Sequence, residues 1–302
     1  MKLELKKEFI EKYSKLTDFT EYENIINRFI RKAIRINTLK TTIAKTKKNL
    51  LKNYKLVQIP WCKDGFWIET ERRDLGNILY HQLGHIYIQE AASMLPPIIL
   101  DPKQNDIILD AAASPGSKTT QIASMMKNTG LIIANDLTFQ RMLPLSHNLQ
   151  RCGVSNTITT IMDARFIDYK FDKILLDTPC SGTGTIRGLT KNSAYTIQSY
   201  SQNRVNNLSL LQKKLILKCY SNLKPKGTLV YSTCSLDPEE DEEVIQFLLN
   251  NSNAKLEKIN LKIKSGLNLG YNNYSSELKK CIKLWPQFYD TEGFFIAKIK
   301  KP

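Results

Sequence analysis

Short apolar runs alternate with amphipathic stretches along most of the chain, and the period of the pattern changes near residue 85. Residues 2–16, KLELKKEFIEKYSKL, and 20–33, TEYENIINRFIRKA, place apolar side chains at helical spacing, and Thr20 with Glu23 has capping-box spacing. Residues 33–40, AIRINTLK, alternate with period two and predict a strand. TIAKTKKNLLKNY (42–54) predicts a basic helix, and LVQIP (56–60) and GFWIET (65–70) predict two short strands. Together these form a small α+β domain over residues 1–85.

From residue 86 to 302 the pattern is strand then helix, repeated. DIILD (106–110), LIIAND (131–136), TITTIMD (157–163), KILLD (173–177) and GTLVYSTC (227–234) are short apolar runs, several ending in a carboxylate. TTQIASMMK (119–127) and VNNLSLLQKKLILKCYSNL (205–223) read as helices between them, and residues 280–300 as a closing pair of strands. Apolar strands alternating with helices predict an α/β fold with a doubly wound, mostly parallel sheet.

Ligands of such sheets sit beyond the carboxyl ends of the strands, at the switch in strand order. DAAASPGSKTT (110–120) follows the first strand of this region and opens a helix, so Ala112, Ala113, Ser114, Pro115, Gly116, Ser117 and Lys118 become candidate ligand-loop residues. It is not a nucleotide-triphosphate loop, because Ala111 stands where the first glycine belongs and Ser117 separates Gly116 from Lys118. Nor does its single glycine make a dinucleotide fingerprint. Asp136 ends the next strand, where an acid reads ribose hydroxyls, and Asp163 ends the third, placed to accept from an adenine amino group. An adenosine-containing ligand without a pyrophosphate fits this set, and S-adenosylmethionine is one.

The chain has 302 residues, 42% of them hydrophobic, and a formal charge of +15. That supports a substantial core and favours a polyanionic partner. Residues 31–55 hold nine Lys or Arg and no acid, whereas residues 1–30 balance six bases against six acids. Six cysteines lack any C-x-x-C pair, which points to reduced thiols in a soluble cytoplasmic protein without metal or disulfides. Apolar runs such as MLPPIIL (94–100) are too short to cross a bilayer. His81 and His85 have zinc-helix spacing, but HQLGH lacks the catalytic Glu.

Two cysteines stand apart from the other four: Cys180, in DTPCSGTG after the fourth strand, and Cys234, in STCSLDPEEDEE at the end of the fifth. These two motifs, with DAAASPGSKTT, resemble those of the Nop2/Sun (RsmB-like) family of RNA cytosine-5 methyltransferases. IRINTLK, YIQEAASMLPP and TEGFFIAK match family segments too, so the resemblance covers about residues 35–299. It implies a Rossmann-like class I methyltransferase domain, S-adenosylmethionine as methyl donor and RNA as substrate. Cytosine carbon 5 is too electron-poor to be alkylated directly, so a thiolate adds first to carbon 6. The resemblance assigns that attack to Cys234 and gives Cys180 a part in releasing the product; DNA cytosine-5 methyltransferases attack with their Pro-Cys thiol instead. It places Asp177 at the cytosine N3 and N4 edge, Lys118 beside Asp177 or the methionine moiety, and Asp136, Arg141, Asp163 and Asp177 around the cofactor.

The chain departs from the family at Ser117, which replaces a glycine, at Ala112, which replaces a frequent cysteine, and at Gln287 and Glu292, which replace His and Asp. The basic segment, with Arg31, Lys32, Arg35, Asn37 and Lys40, resembles the family's N-terminal RNA-binding segment. Arg187 and Lys191, in the loop after Cys180, are expected to close over RNA. The short chain resembles archaeal tRNA methyltransferases, so tRNA is the expected substrate, with ribosomal RNA second, and the protein is expected to be a monomer. Two alternatives are a noncatalytic RNA chaperone and a DNA methyltransferase.

Overall fold

The computed structural model describes residues 3–70 and 75–302. Strands β1 (Ala33–Ile36), β2 (Lys55–Gln58), β3 (Gly65–Glu69) and β4 (Ile86–Ile88) form an antiparallel sheet in the order β2-β3-β1-β4. Period-two alternation sorts β1: Ile34 and Ile36 pack with Leu50 of helix Ile43–Leu50, while Ala33 joins the core shared with the larger unit. The expected boundary after residue 85 falls just before β4, which pairs Ile88 with Ile34, so the first sheet continues through Ile88.

The two leading helices, Lys7–Leu16 and Phe19–Ile26, do not cover this sheet. Their buried Phe9, Tyr13, Tyr22 and Ile26 join Ile186, Tyr200, Leu236 and Trp285 of the larger unit in one cluster. The capping-box expectation at Thr20 is corrected: Asp18 is the N-cap, accepting from Glu21 N at 3.1 Å.

The large sheet contains β5 (Ile107–Asp110), β6 (Leu131–Asp136), β7 (Thr157–Ile161), β8 (Phe171–Asp177), β9 (Leu223–Thr233), β10 (Lys255–Leu256), β11 (Ile282–Leu284) and β12 (Phe294–Lys300). Its order is β10-β12-β9-β8-β5-β6-β7, with β11 also paired to β12. The strands from β9 to β7 are parallel, and β12 runs antiparallel to β9. The chain steps outward from β5 to β7 and then returns to β8 on the other side of β5, so the topological switch lies between β5 and β8.

Alternation along the central strands builds a core on each face. Leu109, Ile174, Leu176 and Leu229 pack toward helix Gln202–Ser221, while Ile108, Leu175 and Val230 pack toward Leu95, Ile99 and helix Ser117–Met126. Among the described residues no helix is long and apolar enough to cross a membrane, and no His/Cys/Asp/Glu group is arranged to hold a metal.

Candidate active site

Parallel pairing brings the acids that end successive strands to one edge. Asp110 ends β5, Asp136 ends β6 and Asp177 ends β8, with Asp177 in register with Ser232 of β9. Cys180 follows β8 and Cys234 follows β9. A cleft of about 510 Å³ opens at this edge, lined by Ala112, Ser114, Asp136, Arg141, Asp163, Asp177, Cys180 and Cys234. Leu137, Met162, Ala164, Leu211 and Leu215 supply apolar walls. Such a mixture of apolar surface and a few polar groups is what small-molecule sites present.

The two sulfurs meet at this edge, Cys180 Sγ lying 3.1 Å from Cys234 Sγ as free thiols. The Sγ contact with Cys234, then burial, pushes the Cys180 thiol well up, which favours its protonated form beside the other sulfur. The remaining four cysteines are buried. Lys118 reaches under the cleft to pair with Asp177 at 2.7 Å, and Asp177 also accepts from Ser232 Oγ at 2.7 Å. Burial works against the Lys118 ammonium, but Asp177, Asp110 and Cys234 together raise its pKa. Asp110 accepts from Thr119 Oγ1 at 2.7 Å, and burial raises its carboxyl to about 7.

Asp136 accepts from Ser114 N, Leu137 N and Arg141 Nε at 2.9, 2.8 and 2.6 Å. Arg141, though half exposed, therefore belongs to the cleft rather than to a bare helix face. Hydrogen bonds from Arg165 hold the Asp163 carboxyl below its usual range, so it stays an anion on the cleft wall. Gly116 sits at φ +98°, the left-handed turn that starts helix Ser117–Met126. Not every loop residue faces the cleft. Ala113 packs with Ala134, Met142 and Leu145, and Pro115 and Ser117 line a separate depression beside Tyr87 and Arg151. They shape the loop and its join to the first sheet.

An acidic network behind the cysteines escaped the sequence reading. Asp237, Glu240, Asp241 and Glu242 are essentially inaccessible. Glu240 accepts from Ser181 N, Ser235 Oγ and Gln212 Nε2, and burial raises it to about 7. Asp237 pairs with Lys12 at 2.6 Å, and Lys283 pairs with Asp241 and Glu242 at 3.1 and 2.7 Å. A run of acids usually marks a solvated face; the signal that it did not here was the flanking Thr233 and Ser235, whose hydroxyls donate to Asp241 and Glu240. At the departures, Gln287 donates to Thr17 Oγ1 at 2.8 Å. Burial and Glu90 raise Glu292 to about 8, with Lys118 and Arg187 opposing.

Several expected RNA contacts are corrected. Arg35 is 1% exposed and bonds Gln89 Oε1 and Thr120 Oγ1 at 2.9 Å each. Asn37 is 2% exposed, donating to Gly84 O and Cys152 O at 2.8 Å each. Arg187, equally buried, bonds Asp290, Thr291 O and Arg28 O. All three join structural units, because each sits on a face turned inward. Arg31 lies 4.2 Å over the Trp67 ring, Lys32 is half-buried, and Lys40 donates to Leu83 O and Arg151 O at 3.0 and 2.9 Å. Lys191 stays exposed at the start of helix Lys191–Ser199.

Residues 97–300 match the family described as 16S rRNA methyltransferase RsmB/F, and residues 5–91 match the N-terminal domain of 16S rRNA methyltransferase RsmF. The chain belongs to the RsmB/F family. This family member is 46% identical to the tRNA (cytosine(49)-C(5))-methyltransferase of Pyrococcus abyssi, over 99% of this chain and 97% of that one. It is 41% identical to the ribosomal RNA small subunit methyltransferase F of Psychromonas ingrahamii, over 95% of this chain but 60% of that protein's length. Among solved structures, a methyltransferase homolog from Pyrococcus horikoshii superposes with TM-score 0.85 at 34% identity, covering 99% and 100% of the two chains. NSun6 from Pyrococcus horikoshii, solved with SFG, gives TM-score 0.86 at 25% identity and 98% coverage of each chain. This family member is thus an RNA methyltransferase, with the doubly wound sheet and N-terminal domain expected of it.

Proposed function

We propose that the protein methylates carbon 5 of cytosine in tRNA, using S-adenosylmethionine. One observation carries this reading: two free sulfurs 3.1 Å apart on adjacent strand ends open onto the cleft that Asp136 and Asp163 share. The near end-to-end match to a tRNA cytosine-5 methyltransferase supports tRNA over ribosomal RNA, whose matching enzyme this chain spans by about three fifths.

The residues fit the methyl donor. Asp136 and Asp163 suit ribose hydroxyls and an adenine amino group, Leu137 and Met162 suit an apolar ring, and the small Ala112 and Ser114 leave room beside the backbone. When bound, S-adenosylmethionine supplies an electrophilic methyl group. Cys234 Sγ, as thiolate, adds to cytosine carbon 6, and the electron pair of the C5–C6 double bond moves to carbon 5. Asp177, fixed by Lys118 and Ser232, meets the N3 and N4 edge and stabilises charge developing there. After methylation a base takes the carbon-5 proton, that bond's electrons restore the double bond, and the C6–S bond breaks. Cys180, held protonated, donates to the departing sulfur and stabilises it as a thiolate.

The test combines labelled S-adenosylmethionine, tRNA, ribosomal RNA and DNA with two variants. Cys234→Ala is expected to lose all methyl transfer and form no adduct. Cys180→Ala is expected to accumulate an RNA–protein adduct that survives denaturant. The reverse pattern overturns the division of roles, an active Cys234→Ala overturns the covalent mechanism, and label in DNA alone overturns the substrate.

A further inference from the structure

Glu240 is 0% exposed and its two carboxylate oxygens receive donors from three segments. Ser181 N approaches at 3.3 and 3.0 Å, Gln212 Nε2 at 2.8 Å and Ser235 Oγ at 2.9 Å. Gln212 Nε2 also donates to Pro179 O at 2.8 Å. The residues on both sides of Cys180 are therefore fastened, directly or through Gln212, to one carboxylate. Cys234 depends on it less. Only its following residue, Ser235, bonds Glu240, while its preceding residue, Thr233, is held in the sheet opposite Phe295 of β12 and donates Oγ1 to Asp241 at 2.6 Å.

We propose that Glu240 is a positioning residue for product release, holding the Cys180 loop so that the Cys180 sulfur stays against that of Cys234. The proposal rests on the reading that Cys234 attacks and Cys180 assists release. A buried carboxylate can accept all these bonds, whereas a carboxamide of the same size has one acceptor oxygen: turned to Ser181 N and Gln212 Nε2 it loses the bond Ser235 Oγ donates and sets its NH₂ 3.3 Å from Ser181 N, and turned the other way it sets its NH₂ against both Ser181 N and Gln212 Nε2. Glu240→Gln therefore loosens the Cys180 loop and leaves Cys234 in place. The chemistry left undone is the last step: the C6–S bond does not break, and the methylated RNA stays attached.

The experiment compares Glu240→Gln, Cys180→Ala and the wild type for S-adenosylmethionine affinity, kcat, KM for tRNA and denaturant-stable adduct. Glu240→Gln is expected to bind the methyl donor normally, keep KM within about threefold, lose about tenfold or more in kcat, and accumulate adduct as Cys180→Ala does. A Glu240→Gln enzyme that turns over normally beside an adduct-forming Cys180→Ala overturns the clamp alone. Loss of both adduct and transfer with the methyl donor still bound overturns it too, since Glu240 then serves Cys234. If Cys180→Ala forms no adduct, the underlying division of roles falls first, and the proposal with it. Should Glu240→Gln fail to bind the methyl donor, Gln212→Met carries the test. It removes the bridge to Pro179, and partial adduct supports the clamp whereas unaltered turnover overturns it.

Discussion

Lys118 is enclosed by Asp177, Asp110 and the Cys234 sulfur, and that enclosure decides what each neighbour can do. Its ammonium pairs with Asp177 at 2.7 Å and orients it at the cleft edge. Lys118→Met is expected to reduce kcat by about 100-fold, the scale of removing one preorganised electrostatic group, in single-turnover methylation of tRNA. An unchanged rate would remove the pair from the mechanism. Asp110 supplies a pH test. Its carboxyl is raised to about 7, above an unfolded value of about 3.9, so the folded state binds this proton more tightly. The stability this contributes is full below about pH 4 and disappears as pH rises through about 7. Asp110→Asn mimics the protonated form. Its Tm is expected to match the wild type near pH 4 and to exceed it increasingly up to about pH 7, by thermal denaturation at both values. Parallel curves would mean that Asp110 does not titrate in this range. Glu240 and Glu292 shift in the same direction, so a residual slope remains in the variant.

Elements rather than single residues decided how far the sequence could be read. The strands of the large sheet were legible because each is a short apolar run closed by a carboxylate or cysteine, and parallel pairing places those ends together whatever packs behind them. The cleft residues Asp136, Asp163, Asp177, Cys180 and Cys234 follow from that alone. What lay hidden needed long-range contacts. The three-residue β4 carries too short a pattern, and the first two helices bury their aromatic faces against residues 160 or more positions away. Charge misled at Arg35, although its strand held the answer. With Ile34 and Ile36 on one face, Arg35 must lie with Ala33 on the other, which is the face turned to the large unit. Arg35→Met is accordingly expected to lower stability by about 1–3 kcal/mol, through the donors it withdraws from Gln89 and Thr120. Calorimetry should show a Tm several degrees lower, and RNA affinity should keep its salt dependence. A changed salt slope with unchanged Tm would restore Arg35 to the RNA surface.

Across the whole molecule, the +15 charge must be divided between cations locked inside and those left facing solvent. Lys12, Arg35, Lys118, Arg187 and Lys283 belong to the first group, each bonded within the fold. Helix Ile43–Leu50 and the turn after it belong to the second. Thr46 and Leu50 are buried, while Lys45, Lys48 and Lys52 are exposed on the opposite side. The four-stranded sheet that carries this helix is fixed to the methyl-transfer unit through Arg35, which bonds Thr120 of helix Ser117–Met126. A phosphate held at the basic helix is therefore held at a set distance from the cysteines, so RNA bound there is also oriented. Replacing Lys45, Lys48 and Lys52 together by Ala should weaken tRNA binding most at low salt. The slope of log affinity against log salt should become shallower by about 2 to 3, near 0.7–0.9 for each phosphate that is no longer neutralised. At saturating tRNA, kcat should be retained, because none of the three lies in the cleft. Binding titrations at several salt concentrations, paired with turnover at saturation, separate these effects. A slope equal to that of the wild type would move the RNA path off this helix and onto the side marked by exposed Lys191.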